Sequence, residues 1–265
     1  MIFQREWKRG SKSLIIWSLI LAGLIIWLLS IFPQFAKQQE GLEKLFQAYP
    51  DSMKEMFKMN ELNLGTLMGF YGLEVYMMIT LLGSIYAAIF ASNILAKEEN
   101  EKTVEFLLSK PVTRSEVVGQ KIAIVILNVL ILNGVAAIAS IAGFQFAEGH
   151  KVPYGTFMSL VAGAVLLHLT FAALSFLLSA CMKKTRNTLV VSIGIVVVAY
   201  LLNMMSGLSE SLDALKYVSP FYYADAVTII QHHQLAPWHI TVMAAVILLS
   251  LLGAFIVYKK KDLSA

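Results

Sequence analysis

Charge is scarce in this chain. Asp, Glu, Lys and Arg make up 14% of its 265 residues, where a soluble domain carries about a quarter. That shortage excludes a soluble fold, whose surface needs more ionised side chains to stay hydrated. Cysteine is nearly absent: Cys181 stands alone, so no disulfide can close within the chain. No Gly-x-x-x-x-Gly-Lys-Ser/Thr stretch occurs, which removes that route to holding and hydrolysing a nucleotide. Nor does any apolar run carry a His pair with a carboxylate, or two Asp residues at helical depth, so a membrane protease or transferase lacks its catalytic set. The first apolar run is followed by Pro33-Gln-Phe-Ala-Lys37 without a small-residue cleavage pattern, and is expected to be a retained span.

Apolar residues dominate instead, at 58% with a mean hydropathy of +0.70. About 20 apolar residues, rising 1.5 Å each, cross a bilayer core. Six runs qualify: 13–32, 72–96, 122–146, 155–181, 188–206 and 240–258. The expected fold class is all-α, a polytopic membrane protein of six transmembrane helices in a single domain over 1–265. Arg and Lys then set the orientation. Four precede the first run (Arg5, Lys8, Arg9, Lys12), five lie between runs two and three (Lys97, Lys102, Lys110, Arg114, Lys121), three lie at 183–186 and three at 259–261, fifteen of the 21 in all. The positive-inside rule and the even number of spans both put the two termini in the cytoplasm. The net charge of +4 is therefore topological; its residues are scattered over four segments and form no nucleic-acid patch.

The connections carry further pattern. In 1–12, Ile2, Phe3 and Trp7 fall on one side of a helix and Arg5, Lys8 and Arg9 largely away from it, which predicts an interfacial helix; a frayed basic leader that only sets orientation is the plainer alternative. Between about 33 and 71, a stripe of Leu42, Leu45, Phe46 and Tyr49, then Pro50-Asp51, then the capping-box pattern Ser52-Met-Lys-Glu55 with Met53, Met56 and Phe57, predicts two short amphipathic helices on the outer rim. The stretch 207–239, with Leu212, Leu215, Val218, Pro220 and Phe221-Tyr-Tyr223, suits a helix that dips into the membrane where protein covers its backbone.

Polar residues inside apolar runs need a reason to be there. Glu74, His168, Asn128 and Asn133 are the candidates for a substrate path, while Asn and His also serve to link helices by hydrogen bonds worth about 1 kcal/mol. His150, His232, His233 and His239 do not make the converging set a metal needs, so no metal site is expected.

The densest charge lies in Lys97-Glu-Glu-Asn-Glu-Lys-Thr-Val-Glu-Phe-Leu-Leu-Ser-Lys-Pro-Val-Thr-Arg114, between runs two and three. Val104, Leu107 and Leu108 fall at helical spacing, Pro111 stops that helix, and Thr113-Arg-Ser-Glu116 is a capping box opening the third run. Leu107 and Leu108 have few neighbours in so small a loop and call for a partner protein; lying on lipid headgroups is the alternative. This segment resembles the first cytoplasmic loop of ABC-2 type permeases, the membrane subunits of ATP-binding-cassette exporters, in the branch of bacitracin-resistance, gliding-motility and copper-enzyme-maturation permeases. Leu215-Lys-Tyr-Val-Ser-Pro-Phe-Tyr222 is similar to the Ser-Pro-Phe pattern such permeases carry before the last span.

The resemblance implies a coupling loop over 97–114 whose short helix sits in a cleft of an ATPase subunit. Glu98, Glu101, Thr103 and Glu105 would make its polar contacts, Leu107, Leu108 and Pro111 would fill the cleft, and Arg114 would anchor the exit. It implies two ABC ATPase subunits and a second permease chain as partners, lipid around them, no nucleic acid, and no cofactor in this chain, with ATP bound by the ATPase. The large extracellular domain of macrolide-type exporters and a fused ATPase are both missing. A non-transporting anchor that recruits an ATPase, and an ion-driven carrier relying on His168, are the competing readings.

Overall fold

Inside a bilayer every backbone N–H and C=O must find its partner within the chain, so long apolar segments become helices. The computed structural model describes residues 2–38, 49–56, 61–97, 113–147, 149–182, 185–208 and 210–261. Among them six helices are long and apolar enough to cross a membrane. They comprise α1 (Ile2–Lys37), a composite span of α3 (Leu67–Phe70), a π-helical stretch Tyr71–Tyr76 and α4 (Met77–Ile94), then α5 (Arg114–Gly143), α6 (Tyr154–Cys181), α7 (Thr185–Met205) and α10 (Pro237–Lys260). Short helices α2 (Asp51–Met56), α8 (Pro220–Tyr223) and α9 (Ala226–His232) join them, with 3-10 turns at Phe144–Phe146 and Glu210–Val218.

Helix α6 is the centre of the bundle. It packs along both α4 and α10, while α1 lies on α5 and α7 on α4. Accordingly Phe157, Leu160, Leu167, Phe171 and Phe176 of α6 are all buried. On α1, α7 and α10 large apolar side chains face outward, among them Leu19, Trp27, Val190, Val198, Leu249 and Leu252. Lipid is the solvent that makes such faces tolerable, and close packing rather than hydrophobicity then holds helix to helix.

One end of the bundle gathers both termini. There Phe3 N donates to Gln120 Oε1 (3.2 Å), and Lys261 Nζ donates to the Met182 carbonyl (3.2 Å). At the far end Tyr222, Tyr223, Trp238 and His239 meet in edge-on ring contacts with centroids 4.2–5.5 Å apart. That cluster has the amphipathic character of an interfacial aromatic belt.

Several expected boundaries shift. The stretch 1–12 is not set off as a separate interfacial helix, because α1 is unbroken from Ile2. Trp7 and Phe3 pack against the bundle core, and Gly10 lies against the Phe90 ring, which keeps this part of the chain on α5 and α4. Nor does the first span stop before Pro33. Phe32 and Phe35 both lie against the Phe70 ring at a tilt, with centroids 5.5 and 5.2 Å apart, and the helix runs one turn past the proline. Of the two rim helices, α2 forms and begins at Asp51 rather than Ser52, while 42–48 lies outside the described residues. The dipping segment 207–239 is broken into a 3-10 turn, α8 and α9. Its bend is fixed by the buried Ser219, which donates to the Ala199 carbonyl (2.7 Å) and caps Phe221 N (3.3 Å).

Candidate functional site

The loop between α4 and α5 has two well-defined feet. Glu98, Glu101, Thr103, Glu105, Leu107, Leu108 and Pro111 lie outside the described residues, and Arg114 lies within them. At the α5 foot the capping box is formed: Thr113 Oγ1 accepts from Glu116 N (3.2 Å), and Glu116 Oε2 accepts from Thr113 N (2.8 Å). Arg114 reaches across to α10, its Nη1 donating to the carbonyls of Lys259 (3.2 Å) and Lys261 (2.8 Å). A cation there satisfies the orphan carbonyls of a helix end and opposes the negative pole of its dipole.

The α4 foot is held more deeply. Lys121 is fully buried, and its ammonium donates to the Ile94 carbonyl at the end of α4. Ser179 of α6, also fully buried, accepts from Leu95 N (3.1 Å) and Ala96 N (3.0 Å). The last turn of α4 thus has its carbonyl side closed by α5 and its amide side closed by α6. Counting charges hid Lys121 among the topological cations. Its spacing with Val117, Val118, Ile124 and Val125 places it on the buried stripe of α5, and that is the signal that would have singled it out.

Halfway along the spans, polar side chains tie three helices together. Tyr86 of α4 donates to Asn128 Oδ1 of α5 (3.0 Å), and Asn133 Nδ2 of α5 lies 2.9 Å from His168 Nδ1 of α6. Each Asn also donates to a carbonyl on its own helix, Ile124 or Val129, at 2.8 Å. Gly83 admits the His168 ring: a Cβ at that position would stand 2.2 Å from Cε1. So Asn128, Asn133 and His168 come together as interhelical links, and none of them lines the main cavity.

That cavity opens toward the far end, between the composite span, α7 and the α8–α9 segment. It holds about 420 Å³ and includes Glu74, Tyr76, Met77, Thr80, Tyr200, Asn203, Phe221 and Asp225 in its wall. Glu74 is the one expected path residue that lines it. The carboxylate sits in the π-helical stretch Tyr71–Tyr76, a local geometry that recurs at functional sites and that the residue spacing did not announce. Asp225 is engaged as the cap of α9, accepting from Thr228 N (3.0 Å) and Thr228 Oγ1 (2.9 Å). On the adjoining 3-10 turn the Lys216 ammonium donates to Asp213 Oδ1 (2.6 Å), and that bond raises its pKa above the ordinary lysine value.

An open cavity at one end, tied loop feet at the other and six spans make a transport subunit the natural comparison. The family profile described as ABC-2 family transporter protein matches residues 1–263. The chain belongs to the ABC-2 transporter family. Among curated proteins nothing matches it. As an ABC-2 family member the chain is a multi-pass membrane transport subunit, of a kind that works with an ABC ATPase subunit and is not itself an enzyme.

Proposed function

We propose that this chain is the permease subunit of an ATP-driven exporter in the plasma membrane of a prokaryote, with both termini in the cytoplasm. A separate ATPase binds and hydrolyses ATP, and two permease and two ATPase chains make the working unit. Its cargo is a small amphipathic molecule, a peptide antibiotic or another drug.

The observation that carries this reading is the pair of feet under the 98–112 loop. Lys121 and Ser179 bind one foot to α5 and α6, while the Thr113 capping box and Arg114 bind the other to α5 and α10. A push on the loop is therefore delivered to four spans at once instead of being absorbed by a slack connection. Supporting it are the fifteen basic residues that the sequence gathers before span one, between spans two and three, at 183–186 and at 259–261, and the Leu107–Leu108 pair, whose apolar surface a protein cleft would cover.

The test is affinity purification from mild detergent of wild type beside Leu107→Asp/Leu108→Asp, with mass spectrometry and an ATPase assay. Wild type should bring down an ABC ATPase that the double variant loses. Capture of no ATPase, or equal capture by the variant, would overturn the coupling role.

A further inference from the structure

We infer that the far-end cavity is a binding site for an amphipathic cation, with the Glu74 carboxylate as counter-ion. The inference names the cargo class of the permease and rests on that reading for its transport role; binding itself does not require it.

The wall of the cavity decides the chemistry. Its volume of about 420 Å³ falls in the range of small-molecule sites. Among the described residues that line it, two are carboxylates and none is Lys, Arg or His, which disfavours an anion. Since Asp225 is engaged by Thr228, Glu74 is the carboxylate left to meet a ligand; it has no hydrogen bond or ion pair among the described residues. An ionised group at membrane depth is costly unless it faces a cavity or a partner of opposite sign. A purely apolar guest would leave that charge unanswered. Tyr76, Tyr200 and Phe221 line the same cavity, and aromatic rings attract cations; Met77 and Met204 add apolar surface that adapts to shape. A lipophilic body with a delocalised or quaternary positive charge satisfies all of these at once.

Equilibrium dialysis of tetraphenylphosphonium against the purified chain in phosphatidylcholine nanodiscs tests this, with empty nanodiscs as blank and triphenylphosphine oxide as the uncharged probe. Wild type should bind the cation saturably above the blank. Glu74→Gln should weaken binding at least tenfold, Glu74→Asp should retain part of it, and Asn203→Trp, which fills the cavity, should abolish it. Binding no greater than the blank, equal binding by Glu74→Gln, or equal binding of the uncharged probe would overturn the site. Should Glu74→Gln fail to fold, Asn203→Trp decides alone: unchanged affinity there overturns it. ATPase capture measured on the same preparations separates the two readings. Capture without cation binding removes the site and leaves the permease; cation binding without capture does the reverse.

Discussion

The two ends of the composite second span are built in opposite ways. At the termini end its last turn is closed by directed hydrogen bonds from Lys121 and to Ser179, both fully buried. At the far end the same span widens into a π-helical turn beside a cavity of about 420 Å³, where the Glu74 carboxylate has no hydrogen bond or ion pair among the described residues. One end is over-determined and the other is left with room. Buried polar groups that are fully satisfied make a rigid point, whereas an open wall with an unanswered charge is suited to a guest. One composite span thus joins a tightly bonded end to an open one.

The sharpest way to break the contrast is to remove the bonds of the tightly bonded end. Lys121→Met with Ser179→Ala deletes three buried hydrogen bonds and should cost on the order of 2–4 kcal/mol of stability, read by thermal unfolding in detergent; a variant as stable as wild type would mean the foot is not held as described. Next is Gly83→Ala, whose new Cβ meets the His168 ring at 2.2 Å. That ring is fixed by Asn133, so overpacking should cost about 1–3 kcal/mol. Relief of the loss by a companion His168→Ala would trace it to this contact. Asn128→Leu leaves the Tyr86 hydroxyl unpaired within the bundle and should cost about 1 kcal/mol by the same measurement. Smallest should be Glu74→Gln, expected to change stability by less than about 0.5 kcal/mol because no intramolecular bond is lost. A large fall there would show that Glu74 holds structure and would erase the difference between the two ends.

Much of the architecture was legible in residue order alone. Six apolar runs become six helices because a bilayer permits little else, and Thr113–Glu116 caps α5 because a capping box is a local device. Two features escaped. The π-helical turn around Glu74 packs against α9 and α1, neighbours that no local spacing encodes. Lys121 looked like a topological charge, and only the i, i+3, i+4 stripe it shares with Val117, Val118, Ile124 and Val125 marks it as buried. The polar residues inside the spans were also ambiguous, because Asn128 and Asn133 donate to their own helices as readily as they reach a neighbour. Whether such a residue links helices or lines a path is decided by the third dimension.

Contact between the 98–112 loop and an ATPase is best tested by site-directed crosslinking, since Cys181 is the sole cysteine and a Cys181→Ser background leaves none. In that background a thiol-to-amine crosslinker is applied to membranes of the native host carrying either Leu107→Cys or Tyr154→Cys, the second at the exposed far-end start of α6. Coupling through the inner loop requires that Leu107→Cys join to an ABC ATPase and that Tyr154→Cys not do so. An ATPase adduct at Tyr154→Cys, or none at Leu107→Cys, would contradict it.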